Sequence, residues 1–219
     1  MSSIFYRIQQ NIYMKTGRLF NKKINRIDNM PTLISSNCIG GVVYHNAGKQ
    51  FTSPTINMYI KPKDFLLLVN SIEECMSYQP RYNEGESKLC GFPVMSIECS
   101  SGIVNLYCLH YSSFEDACAI WEKRKNRINY QNILVIMTDR DGFTEDDLKS
   151  FENLKYPKVL YTCKNYSGYN NIVFVKAFRK ENQVGTMTDY CDVFGNRYFE
   201  KYFDIYKYCN GNTFESCLL

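Results

Sequence analysis

A cysteine followed closely by a glycine pair sits in "ISSNCIGGVV", residues 34–43, directly after a short apolar run. Gly40 and Gly41 next to Cys38 place a thiol beside consecutive backbone N–H groups near a helix start, which can lower a thiol pKa and bind an oxyanion. Cys38 is therefore a candidate nucleophile, with Asn37, Gly40 and Gly41 as substrate-binding neighbours. The alternative is a small buried cysteine, the commoner fate of this residue type. His110 ends a later apolar stretch, and it is one of only two histidines, the other being His45. A thiol followed in the chain by a histidine permits a nucleophile with a general base, although strand-end histidines also serve simply to satisfy backbone groups.

A second chemistry is written in Asp139-Arg140-Asp141, which follows the apolar run "NILVIM". Two carboxylates flanking one residue can share a divalent cation, manganese or magnesium, that holds the diphosphate of a nucleotide sugar. In that reading Asp139 and Asp141 are metal ligands, Asp139 is also catalytic, and Arg140 contacts the substrate. Arg124 and Arg127, at i and i+3, can grip phosphate or carboxylate with Asn129 beside them. They can equally be a solvated helix end that complements the dipole.

These groups need elements to position them. "TLISS" (32–36) reads as a strand, followed by a turn and a short helix ending near Gly48. Pro62 opens a helix through about residue 77, with Phe65, Leu66, Val69, Ile72 and Met76 as its buried face. Residues 78–93 are a polar surface excursion. "VMSIECSSGIVNLYCLHY" predicts two strands around a Ser-Ser-Gly turn, and Ser112 with Glu115 predicts a capping box for the helix carrying Trp121. "NILVIM" is apolar throughout, as for a strand covered on both sides. Thr144 caps "EDDLKSFENL", "KVLYTC" and "NIVFVKAF" are further strands, and "RYFEKYFDIYKYC" is a terminal aromatic helix. Strand, helix, strand implies a parallel pair. The expected fold is an α/β three-layer sandwich with a mostly parallel central sheet, a single domain over residues 31–219. Open sheets of this kind bind ligands at the carboxyl ends of their strands, where Cys38, His110 and Asp139 all fall.

Residues 1–27 carry six Lys or Arg and no acid, with Ile4, Phe5, Ile8, Ile12, Phe20, Ile24 and Ile27 at helical spacing. Residues 1–30 thus read as a basic amphipathic helix, resting on an anionic inner leaflet or packing on the domain. No window approaches the roughly 18 apolar residues of a membrane span, and no signal-peptide pattern is present. The ten cysteines include no Cys-x-x-Cys pair and read as reduced thiols, consistent with a cytoplasmic protein at most peripheral to the membrane. A net charge of +4 is too mild to indicate nucleic acid as partner.

The blocks "ISSNCIGGVVY", "SPTINMYIKPKDF", "LHYSSFEDACAIWEKRKNRIN", "NILVIMTDRDGFTEDDLKSF" and "KVLYT" resemble the bacterial family known as domain of unknown function 1919, often labelled exopolysaccharide biosynthesis protein. The resemblance covers about residues 30–205. It implies a transferase of glycosyl or acyl groups acting on a surface glycan or its precursor, with a glycan or sugar nucleotide as small-molecule partner. The position after Cys38 departs from the family pattern, since Ile39 stands where an aromatic residue is expected. The spacing is also similar to papain-like cysteine peptidases, which implies a hydrolase using Cys38 and His110. A non-catalytic saccharide-binding accessory protein, stacking sugars on its tyrosines, is the third reading.

Overall fold

The computed structural model describes residues 27–219 and, before them, residues 4, 7, 8, 10–12 and 15. The predicted helix over residues 1–30 lies mostly outside the described residues; those described at positions 4–15 are helical. Four strands form a parallel sheet in the order β1 (Thr32–Ser35), β5 (Ile133–Thr138), β6 (Lys158–Thr162), β7 (Ile172–Phe174). A smaller antiparallel sheet joins β2 (Arg81–Tyr82), β3 (Val94–Cys99) and β4 (Gly102–Tyr107).

The parallel strands are covered on both faces, which is why β5 is buried at every position and could be spelled in apolar residues without alternation. Ile133, Val135 and Met137 face one core, with α2 (Pro62–Asn70), α3 (Ile72–Ser77), α5 (Phe114–Lys125), α6 (Glu145–Glu152) and the antiparallel sheet. Leu134 and Ile136 face the other, with α1 (Ile39–Asn46) and the short aromatic helices α7 (Tyr198–Tyr202), α8 (Ile205–Cys209) and α9 (Phe214–Cys217). Ile27, the last residue of the predicted N-terminal stripe, is buried in this second core, whereas Ile4, Ile8 and Ile12 are exposed.

Several local expectations shift for identifiable reasons. The helix from Pro62 breaks at Ser71, giving α2 and α3. The cap of α5 falls one residue later than predicted: Ser113 Oγ accepts from the Asp116 amide, while Ser112 spends its hydroxyl on the Asp116 carboxylate. Residues 78–93 hold a helix of their own, α4 (Glu84–Cys90), capped by Asn83 and ended by left-handed Gly91. The terminal aromatic helix is interrupted at Phe203, whose extended backbone pairs with Leu218. "NIVFVKAF" keeps only three strand residues before a 3-10 turn at Lys176–Phe178. The Thr144 cap of α6 stands as read, with Asp147 completing the box.

The hydroxyl of Tyr161, fully buried on β6, has no hydrogen-bond partner among the described residues. An unsatisfied buried hydroxyl costs roughly 1–3 kcal/mol. Tyr161→Phe is therefore expected to raise stability by about 1 kcal/mol, read as a higher denaturant midpoint at unchanged slope.

Candidate active site

The carboxyl ends of adjacent strands β1 and β5 open into a crevice because the chain leaves them in opposite directions. After β1, α1 packs into the second core through Ile39, Val43 and Tyr44; after β5, α6 packs into the first through Leu148 and Phe151. Diverging connections are where open α/β sheets collect ligands. The turn after β1 is tied down residue by residue. Asn37 donates from Nδ2 to Thr138 Oγ1 at 3.0 Å, linking it to the end of β5, and accepts the Ile39 amide at 3.1 Å. Ser35 Oγ accepts the Gly40 amide. Cys38 then occupies the N-cap of α1 with its own thiol uncommitted to the helix.

His110 reaches this thiol from the other sheet. The strand before it runs antiparallel in the small sheet and ends at Tyr107, so the expectation of a shared parallel sheet is corrected. The segment 51–60 brings the two sheets together: Ile60 donates its amide to Ser36, and Tyr59 and Tyr107 exchange both backbone hydrogen bonds. The result sets Cys38 Sγ 3.5 Å from His110 Nε2. Burial pushes the Cys38 thiol above its ordinary value, and the Arg140 guanidinium pulls it part of the way back. Burial thus outweighs the cation and favours the protonated thiol.

The pair opens on a cavity of about 470 Å³ lined by Cys38, Gly41, His45, Asn57, His110 and Arg197, with Val42 and Phe51 as apolar walls. That size suits a small molecule or the end of a larger one. Both histidines of the chain line it. His45 lies two turns along α1 from Cys38, a spacing visible in the sequence. Arg197 comes from the far end of the chain and carries no local signal. Asn57 takes a left-handed backbone at φ 67°, which asparagine tolerates better than most residues.

The other predicted site residues serve differently. Asp139 is buried, and its two carboxylate oxygens accept the amides of Cys163 at 2.7 Å and Val184 at 2.8 Å. Asp141 is exposed, and its amide donates to Gln183. With Asp139 committed to backbone, the residues do not fit a shared divalent cation or a metal-held nucleotide sugar, and no group of three His, Cys, Asp or Glu is placed to hold a metal ion among the described residues. Arg124 donates to the Ile56 carbonyl and Tyr111 hydroxyl and lies over the Phe51 ring; Arg127 donates to the Phe51 carbonyl. Both clamp the 51–60 segment. Asn129 bonds Thr32 at the opposite end of β1, away from the crevice. Arg140 donates to the Gly185 carbonyl, and its Nε is buried without a partner among the described residues.

Fold and site define an α/β protein that sets a cysteine at the carboxyl end of a parallel strand against a histidine that follows a strand of a second, antiparallel sheet. The profile of the family described as Domain of unknown function (DUF1919) matches residues 8–210, and the chain belongs to that family. A relative from Haemophilus influenzae (strain Rd), described as an uncharacterized protein, is 29% identical over 209 residues, spanning 94% of this chain and 98% of the relative. Neither description states an activity, so neither supports the exopolysaccharide association.

Arg140 favours the thiolate, so its removal leaves burial unopposed. The pH midpoint for alkylation of Cys38 in Arg140→Gln is expected above that of the wild type, measured by peptide mapping across an alkaline series.

Proposed function

We propose that the protein is a cysteine-dependent acyl transferase or hydrolase, with Cys38 as nucleophile and His110 as general base. The observation that carries this reading is the Cys38 Sγ to His110 Nε2 contact at the mouth of a cavity. His110 removes the thiol proton as sulfur attacks the acyl carbonyl, and the carbonyl electrons become an oxyanion. The Cys38 amide, which meets no protein acceptor among the described residues, is available to stabilise it. Collapse expels the leaving group, which takes the proton from His110, and a thioester remains. A hydroxyl or water, deprotonated by His110, then attacks the thioester; sulfur leaves and regains a proton from the imidazolium. With a sugar hydroxyl as acceptor, the partner that the resemblance in sequence suggests, the second step is acyl transfer to a glycan. Glycosyl transfer through a metal-held diphosphate is the weaker reading, because Asp139 already serves two backbone amides.

Incubation with an activated ester is expected to add one acyl mass to the intact protein, mapping to Cys38. Cys38→Ala should abolish the adduct, and His110→Ala should slow its formation by roughly 10²–10⁴-fold. An acyl group mapping elsewhere, or no dependence on His110, would overturn the assignment.

We also place the protein at the inner face of the cell membrane. Among the described residues no helix is long and apolar enough to cross a membrane. Ile4 and Ile8 are 67% and 51% exposed on a segment whose Gln10 is held by both backbone groups of Tyr190. On a helix at 100° per residue Gln10 lies about 120° from Ile4 and about 160° from Ile8, and the six cations of residues 1–27 complement anionic lipid. The hairpin closed by Tyr190 and Arg197 exposes Val193 and Phe194 at its tip, a second apolar contact. The chain is expected to sediment with phosphatidylserine vesicles at low salt and to lose most of that binding at 0.5 M salt or with Ile4→Glu and Ile8→Glu together. Equal sedimentation with neutral vesicles would speak against the placement, and salt-independent self-association in their absence would point to a second copy as the occupant.

A further inference from the structure

The cavity beside the thiol has an unusual charge balance. Its lining includes Arg197, His45 and His110, and no carboxylate. Arg197 donates from Nη1 to the Thr188 carbonyl at 3.2 Å and from Nη2 to the Tyr190 hydroxyl at 3.1 Å, while its carbon Cζ lies 4.6 Å from the Tyr190 ring centroid. These contacts fix the guanidinium plane yet use two of its five N–H donors. None of the ion pairs among the described residues engages it. Glu200, the acid bonded to this residue, accepts the Arg197 backbone amide on Oε2 and gives Oε1 to Tyr206 and Asn46. A cation held rigidly at a cavity wall by neutral acceptors keeps its charge for what enters the cavity.

Gly41 adds a donor on the neighbouring wall. Its amide is in the first turn of the eight-residue helix α1, where Ile39 and Gly40 give their amides to Asn37 and Ser35 and Val42 bonds back to Cys38. The Gly41 N–H meets no acceptor among the described residues, and Gly41 lines the same cavity as Arg197.

We propose that Arg197 and the Gly41 amide hold an oxyanion of the substrate, a carboxylate or a phosphate, so that the acyl compound processed at Cys38 is anionic. This deepens the cysteine-nucleophile reading and rests on it for the word substrate; the anion site itself does not need the thiol to be catalytic. Arg197 acts here as a specificity-determining residue. The guanidinium takes the anion through its remaining N–H groups, and its charge on the wall of the cavity that Cys38 also lines then favours an anionic reagent over a neutral one of equal reactivity and size.

Iodoacetate and iodoacetamide make that comparison directly, since they alkylate the same sulfur and differ in one charge. The ratio of their rates at Cys38, read by peptide mapping on the full chain, is expected to exceed the ratio for the same cysteine in the urea-unfolded chain by about tenfold. Arg197→Gln should lose most of the excess over the unfolded value, leaving the part that Arg140 contributes, and Arg197→Lys should retain most of it. Inorganic phosphate and malonate, added separately, should each slow iodoacetate at Cys38 in the folded wild type; the stronger competitor identifies the phosphate or carboxylate character of the ligand. A native ratio equal to the unfolded ratio overturns the anion site without recourse to any variant, and so does folded Arg197→Gln if its ratio stays at the wild-type value. A raised, Arg197-dependent ratio in a protein that forms no acyl adduct at Cys38 supports the anion site while rejecting the acyl-transfer reading, so the two fail separately.

Discussion

The position of His110 against Cys38 rests on the clamping of one irregular segment, residues 51–60, between two sheets that do not otherwise share a strand. Arg124 supplies the clamp. One of its nitrogens donates both to the Ile56 carbonyl and to the hydroxyl of Tyr111, the residue after His110, and Tyr111 itself donates to the same carbonyl. A charge-assisted bond of this kind is stronger than a neutral one. Here it ties the segment and the histidine turn to one guanidinium, while Arg127 holds the start of the segment at the Phe51 carbonyl. Ile60 and Tyr59 then carry the fixed position to Ser36 and Tyr107, one on each sheet. Reacting groups displaced by as little as 1 Å can lose about 10²-fold in rate, so a site shared between two sheets needs such a splice.

The electrostatics of the crevice follow from what is spent on structure. Asp139 directly precedes the thiol's cationic neighbour, Arg140, yet both of its oxygens hold amides, of Cys163 after β6 and of Val184 in the return segment. It thereby fixes the loop that carries Arg140. Cys38 feels burial, which raises its pKa, against Arg140, which lowers it. Burial dominates, so under the proposed function the thiol depends on His110 to become reactive; a preformed thiolate would have needed a stronger cation at the helix start.

Much of the fold was legible because its signals are local. The apolar run of β5, the Thr144 cap and the Pro62 helix start each depend on a few neighbouring residues. The failures also have physical causes. Periodicity cannot show that "GIVNLY" joins a separate antiparallel sheet, since alternation is the same in both settings. Asp139 looked like a metal ligand because a buried carboxylate that caps backbone amides and one that binds a cation are spelled alike. Arg124 and Arg127 looked like a phosphate grip, and only the path of residues 51–56 reveals that they hold carbonyls. Cys38 and His110 could be nominated by type and by strand-end position. Arg197 could not, because nothing near it in the chain points to the cavity.

The glycine pair beside Cys38 can now be assigned a role. A Cβ on Gly40 would come within 2.9 Å of the Ser35 Cβ, and one on Gly41 within 3.1 Å of the Ile56 Cγ2. The first distance lets α1 fold back tightly on the end of β1. The second lets the clamped segment press against the helix. Immediately after Ile56 the chain turns through the left-handed Asn57, a conformation that costs energy for a residue with a side chain and concentrates at functional sites. The close approach permitted by Gly41 and the turn made by Asn57 set adjacent walls of one cavity. Packing therefore comes first: the glycines allow the helix, strand and segment to converge, and that convergence is what sets Gly41 and Cys38 on the walls of one cavity.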